Sequence, residues 1–242
     1  MNQEVDMARW IVCLASLFVV STTYADQQEI PKWGLLLPAL SITSDYRFNG
    51  MSLSNREPVF QGSLHLWRPD GYYAGFWMSE VDFLDGETTL ELDSYVGRDF
   101  KHGQFETKIE LMYSAFNDDS VSGPTYDFFQ VKTALRRNFK DSAIGVAFLW
   151  SPSGSAGAGT VTQLRAEGEH RFTEFIKTSA VVGRRLAEVG FDRTYWDFGF
   201  TFEWGKFDLD IRYYDTNLDK EECFYTDWCE AGVAAKLTLA SY

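Results

Sequence analysis

From residue 38 to the C-terminus, apolar and polar positions alternate with a period of two, and helical periodicity is scarcely found. Residues 195–204 show the pattern at its fullest. Trp196, Phe198, Phe200, Phe202 and Trp204 take one set of positions, and Tyr195, Asp197, Gly199, Thr201 and Glu203 take the other. The first such segment, 40–49, sets Leu40, Ile42, Ser44, Tyr46 and Phe48 against Ser41, Thr43, Asp45, Arg47 and Asn49. Further segments lie at 59–67, 72–80, 89–97, 104–115, 126–137, 143–150, 161–169, 175–184, 195–204, 206–214 and 230–242, so about twelve strands are predicted.

The links between these segments alternate in length. NGMSLSNREP is long and RPDG short; VDFLDGET is long and RDFKHG short; FNDDSVSGPT is long and RNFKDS short. SPSGSAGAGT and HRFTE continue the series, then RLAEVGFDRT and the turn near Gly205, and the last link, DTNLDKEECFYTDWCE, is the longest. A soluble sandwich has no reason to sort its loops by parity, whereas an up-and-down barrel has short turns at one end and long loops at the other. The predicted fold is therefore all-β: an up-and-down antiparallel transmembrane barrel of about 12 strands. A closed barrel also satisfies every backbone N–H and C=O, which hydrocarbon requires.

With the apolar positions facing lipid, the charged positions face a lumen. The inward acids are then Asp45, Glu91, Asp93, Glu106, Glu110, Glu167, Glu169, Asp197, Glu203, Asp208 and Asp210, and the inward bases Arg47, Lys108, Lys132, Arg136, Arg165 and Arg212. This acidic excess predicts a weakly cation-selective pore. The alternative is that the same charges pair and fill a narrow lumen. Trp196 and Trp204 are separated by about 26 Å of strand. They are expected near the two membrane interfaces, with Phe198, Phe200 and Phe202 in hydrocarbon between them.

Residues 7–25, MARWIVCLASLFVVSTTYA, combine Arg9, an apolar stretch and small residues up to Ala25. That is a secretory signal peptide, so residues 1–25 are expected to be cleaved, leaving 26–242 as one barrel domain. Glu4 and Asp6 are unusual ahead of such a segment, so the start is Met1 or Met7. Cleavage changes the net charge from −13 to −12, and so acidic a balance argues against nucleic acid as a partner. Cys223 and Cys229 then form an even pair in an exported chain and predict a disulfide; a metal site is the lesser alternative, since His65, His102 and His170 are remote in sequence.

SDYRFNGMSLSN followed by PVFQGSLHLW, GYYAGFWMSEVDF, ELDSYVG and DLDIRYYDTN resembles the TorF-type family of porin-like proteins from Gram-negative bacteria. The likeness keeps the motif order through the whole mature chain. It implies an outer-membrane barrel and a pore, but no particular solute. This family commonly carries a basic residue where Asn49 stands, so no pore charge is carried over to that position. Barrels of this kind end in an aromatic residue read by the insertion machinery. Tyr242 supplies it, although Leu239, Leu237 and Val233 lie in the opposite phase, which a bulge would restore.

Other function classes are weaker. Ser63 and His65 form an S-x-H pair, but the phase of Phe60, Leu64 and Leu66 turns it inward, and no third group completes a triad. No enzyme activity and no cofactor are predicted. The expected surroundings are outer-membrane lipid and small solutes or ions. The competing functions are a non-conducting structural or adhesive barrel and a soluble periplasmic binding protein.

Overall fold

The structure, a computed structural model, describes residues 31, 33–117 and 125–240. The predicted signal peptide and Tyr242 lie outside the described residues. Among the described residues fourteen strands occur, twelve of them long: β1 (Leu35–Thr43), β4 (Val59–Trp67), β5 (Tyr72–Glu80), β6 (Leu90–His102), β7 (Phe105–Phe116), β8 (Phe128–Asn138), β9 (Ser142–Ser151), β10 (Val161–Arg171), β11 (Ile176–Ala187), β12 (Arg193–Trp204), β13 (Phe207–Thr216) and β14 (Gly232–Ala240). The remaining two, β2 (Arg47–Phe48) and β3 (Met51–Ser52), form a separate hairpin.

The twelve long strands form one closed antiparallel barrel, each pairing with its sequence neighbours and β1 pairing with β14. The seam runs from Ala39↔Ala240 to Thr43↔Lys236 and closes the sheet on itself. Among the described residues, no helix is long and apolar enough to cross a membrane. Tight turns at 68–71, 103–104, 139–141, 172–175 and 205–206 share one end with the start of β1 and the end of β14. The longer links share the other end. One of them, predicted as ten residues, shortens to 188–192 because β11 and β12 extend into it.

Alternation sorts the side chains as a closed sheet requires. Leu40, Phe60, Phe76, Leu164 and Val233 are exposed on the outer face, while Ser41, Gln61, Trp77, Gln163 and Ala234 are buried on the inner one. Exposed outer aromatics gather at both ends. Phe60, Tyr113, Phe129, Trp150, Trp196 and Tyr213 lie towards the long loops, and Tyr72, Phe105, Phe139, Phe172, Trp204 and Phe207 towards the tight turns. Trp196, Phe198, Phe200 and Trp204 are exposed on the outside of β12 and Phe202 is partly so, with the Phe198 and Phe200 rings edge to face at 5.2 Å.

Two strand assignments are corrected. The first barrel strand is 35–43 rather than 40–49. Its regular alternation ends at Thr43; Ser44 still bonds Ala235 of β14, and from Asp45 the segment turns into the lumen. The cause is local: Asn49 and Gly50 both have positive φ (51° and 85°), the geometry of a two-residue hairpin turn that an Asn-Gly pair favours. The last strand begins at Gly232, and its pairing with β13 runs unbroken from Tyr214↔Gly232 to Phe207↔Leu239. No bulge interrupts that register.

Candidate pore and its constriction

The inner face carries both signs of charge, and the charged side chains pair along the wall. Lys101 meets Glu106 at 3.2 Å, Lys108 meets Asp99 at 3.4 Å and Lys132 lies 3.9 Å from Glu110. Arg136 pairs with Glu169 across β9, whose inward residues Ala143, Gly145 and Ala147 are small enough to permit it. Arg165 is 3.5 Å from Glu167, and Glu203 gathers Arg171 at 2.7 Å and Lys177 at 3.1 Å. Arg212, buried to 1% exposure, lies between Asp197 and Asp210 and also donates to Ser179, while Thr201 donates to Asp210. Glu91 accepts from Tyr46 at 2.9 Å, and Asp93 and Asp208 are buried on the same inner face. Arg165–Glu167 and Arg212–Asp210 lie within one strand, and the other ion pairs named here join strands that are adjacent or separated by one strand.

The wall carries more inward charges than the predicted strands include. Asp99, Lys101, Arg171, Lys177, Arg185, Arg193 and Lys236 occupy the same inward phase, which brings acids and bases to near parity. Arg185 and Arg193 fall within the predicted link RLAEVGFDRT, because charge at a strand end is indistinguishable from a polar link.

Asp45 and Arg47 face inward for a different reason from the one predicted. They belong to the segment that folds into the barrel mouth, and its backbone does not run along the wall. Arg47 Nε donates to Asp45 at 2.6 Å, and its Nη1 donates to the carbonyls of Trp228 (3.2 Å) and Glu230 (2.8 Å). Asp45 also accepts from Ser52 at 2.6 Å. On one side Tyr46 packs on Trp77, with ring centroids 5.3 Å apart, and reaches Glu91. On the far side Asn49 donates to Gln163 of β10 at 3.1 Å, and Gly50 sits against Tyr195, Asp215 and Thr216. The hairpin therefore bridges from β5–β6 to β10–β13.

Its brace is the last long loop. Cys223 and Cys229 are disulfide-bonded, with Cα atoms 6.0 Å apart. They pack with Trp228 against Met51 of β3. Ser52 N donates to the Trp228 carbonyl at 2.9 Å, and Trp228 Nε1 donates to Asn55 at 3.0 Å. The Asn-Gly dipeptide could have revealed the hairpin from sequence; nothing in the sequence pointed to its docking on residues almost two hundred positions away.

His65 is buried on the inner wall, its Nδ1 3.1 Å from the Tyr95 hydroxyl, and it stacks on that ring. Its ring thus engages a phenol of β6, reached across β5, and no hydrogen bond to Ser63 forms among the described residues.

Solved structures share this barrel. The KdgM porin aligns with a TM-score of 0.59 at 5% identity, over 86% of this chain and 99% of that one. The NanC porin gives 0.57 at 10%, over 84% and 98%. The COG4313 outer membrane channel from Pseudomonas putida F1 gives 0.55 at 11%, over 91% and 99%. At such identities the likeness concerns the fold. No curated protein matches the chain. A family model described as a bacterial protein of unknown function, Gcw_chp, matches residues 36–240, and the chain belongs to that family.

Proposed function

We propose that this protein is an outer-membrane channel of the TorF type, a constricted barrel for passive diffusion of small hydrophilic solutes or ions in a Gram-negative bacterium. The observation that carries the reading is the β2–β3 hairpin held inside a polar, charge-lined barrel. A barrel that served only as an anchor would gain nothing from a short bridge fixed at both ends within its mouth. Barrel structures named as porins and as an outer membrane channel support the reading. So do the apolar outer face and its two aromatic belts, which match what a bilayer and its interfaces favour.

Near parity of the inner charges leaves selectivity weak. The remaining bias comes from the long-loop end, where Asp85, Glu87, Asp219, Glu221, Asp227 and Glu230 are exposed, and it favours cations. The test is single-channel recording of the refolded protein in planar bilayers, together with fractionation of cells that express it. Discrete conductance steps and recovery with outer membranes are expected. A folded, membrane-inserted barrel that gives no steps would leave a structural or adhesive role, and recovery in the soluble periplasm would remove the membrane reading.

A further inference from the structure

Two like charges directly opposite each other on antiparallel strands repel, and the repulsion is strongest where water is excluded. Arg185 of β11 and Arg193 of β12 are such a pair, and both occupy the inward phase. Arg193 is 7% exposed, and its Nε is buried with no hydrogen-bond partner. Neither guanidinium forms a hydrogen bond or an ion pair with a described residue. The carboxylates nearest in sequence are engaged elsewhere. Asp192 holds Arg184 at 3.3 Å and accepts from the Ala187 amide, and Glu188 accepts from the Thr160 amide at 2.9 Å. Among the neighbours on the wall, Asp197 is taken by Arg212 and Glu167 by Arg165.

The position of the pair adds to its chemistry. Gln163, Arg185 and Arg193 form one cross-strand row over β10, β11 and β12. Gln163 donates to the Tyr195 hydroxyl and accepts from Asn49 at the hairpin tip. The unpaired arginines therefore stand beside the point where the hairpin meets the wall, and a solute passing the constriction passes them.

We propose that Arg185 and Arg193 form a binding subsite for a small carboxylate solute at the constriction, a reading that deepens and rests on the channel function above. A guanidinium presents parallel N–H donors in a plane and pairs with a carboxylate through two hydrogen bonds. Two such forks side by side, with no protein carboxylate paired to either, are completed by an anion from solution. An acidic outer rim and a basic inner pair are compatible: the rim acts on bulk ions through screened, long-range potential, whereas the pair acts on contact.

The test uses the full folded barrel in detergent micelles, titrated calorimetrically with succinate at low salt, beside succinate block of single-channel current from the long-loop side. Arg193→Gln and Arg185→Gln are each expected to weaken succinate binding at least tenfold. Arg184→Gln, on the outer face, is expected to leave it unchanged. Arg193→Lys keeps the charge, loses the fork and serves if the glutamine variant fails to fold; it too is expected to weaken binding severalfold. Equal affinity in wild type and folded variants overturns the subsite, as does binding of inorganic phosphate without succinate. Succinate binding that depends on Arg193 in a protein that never conducts retains the anion site and overturns only the channel.

Discussion

Gly97 has no side chain because the Tyr73 ring occupies the place where a Cβ would go, and the two are direct partners across β5 and β6. The same arrangement pairs Gly75 with Tyr95 and Gly183 with Tyr195, laying inward rings flat against the wall. Gly97→Ala is expected to cost about 1–3 kcal/mol by overpacking. The loss should shrink when Tyr73 is also truncated to Ala, measured as non-additivity in denaturant unfolding of the folded barrel. A second contrast tests which face of β12 meets lipid. Phe200→Lys sets a charge on the outer face, at a cost of about 2–4 kcal/mol near the bilayer midplane. Thr201→Lys sets it one residue on, facing inward beside Asp210, and should cost far less. Unfolding from lipid vesicles reads the difference.

At the scale of elements, the β2–β3 hairpin is what distinguishes this barrel from a plain cylinder. Arg47→Ala removes its link to the Trp228 and Glu230 carbonyls and leaves Asp45 without its cation. The hairpin should then detach, and single-channel conductance should rise about twofold or more, with added current noise. Reduction of Cys223–Cys229 should move conductance in the same direction by a smaller amount. By loop-closure entropy a bridge this short restrains its loop by about 2 kcal/mol, and the hairpin rests on that loop.

The hairpin is also where sequence reading failed. Alternation locates β4 to β13 because the outer face of each strand is apolar and the inner face polar. Ser44–Asn49 alternates too, with Tyr46 and Phe48 mimicking an outward row, but those rings pack within the barrel mouth. Periodicity records which residues are apolar without saying what covers them. The lumenal bases of β11 and β12 were hidden for another reason. Arg185 and Arg193 sit at strand ends, where a wall residue and a loop residue have the same composition.

For the whole molecule, the balance of charge within and the acidic long-loop rim set the electrostatics together. A reversal-potential measurement under a potassium chloride gradient is expected to show modest cation preference near 10 mM salt. That preference should decline towards neutrality near 1 M, as the Debye length falls from about 30 Å to about 3 Å. Preference that stays constant with salt would place its origin inside the barrel, away from the rim.

The contacts from Arg47 to Trp228 and Glu230 join the two ends of the barrel sequence, since the hairpin follows β1 and the disulfide loop precedes β14. Those two strands form the closing seam. The disulfide can close as soon as its own loop is made, but Arg47 and Ser52 cannot reach Trp228 and Glu230 until β14 lies beside β1. Bracing of the hairpin by this loop is thus bound to be among the late events of assembly, because these contacts, like the seam itself, join opposite ends of the chain and bear a large loop-closure cost. A closed barrel whose hairpin is not yet braced is a wider, leakier cylinder. A time course of refolding into dye-loaded vesicles should accordingly show release of larger dyes that declines as the native state accumulates.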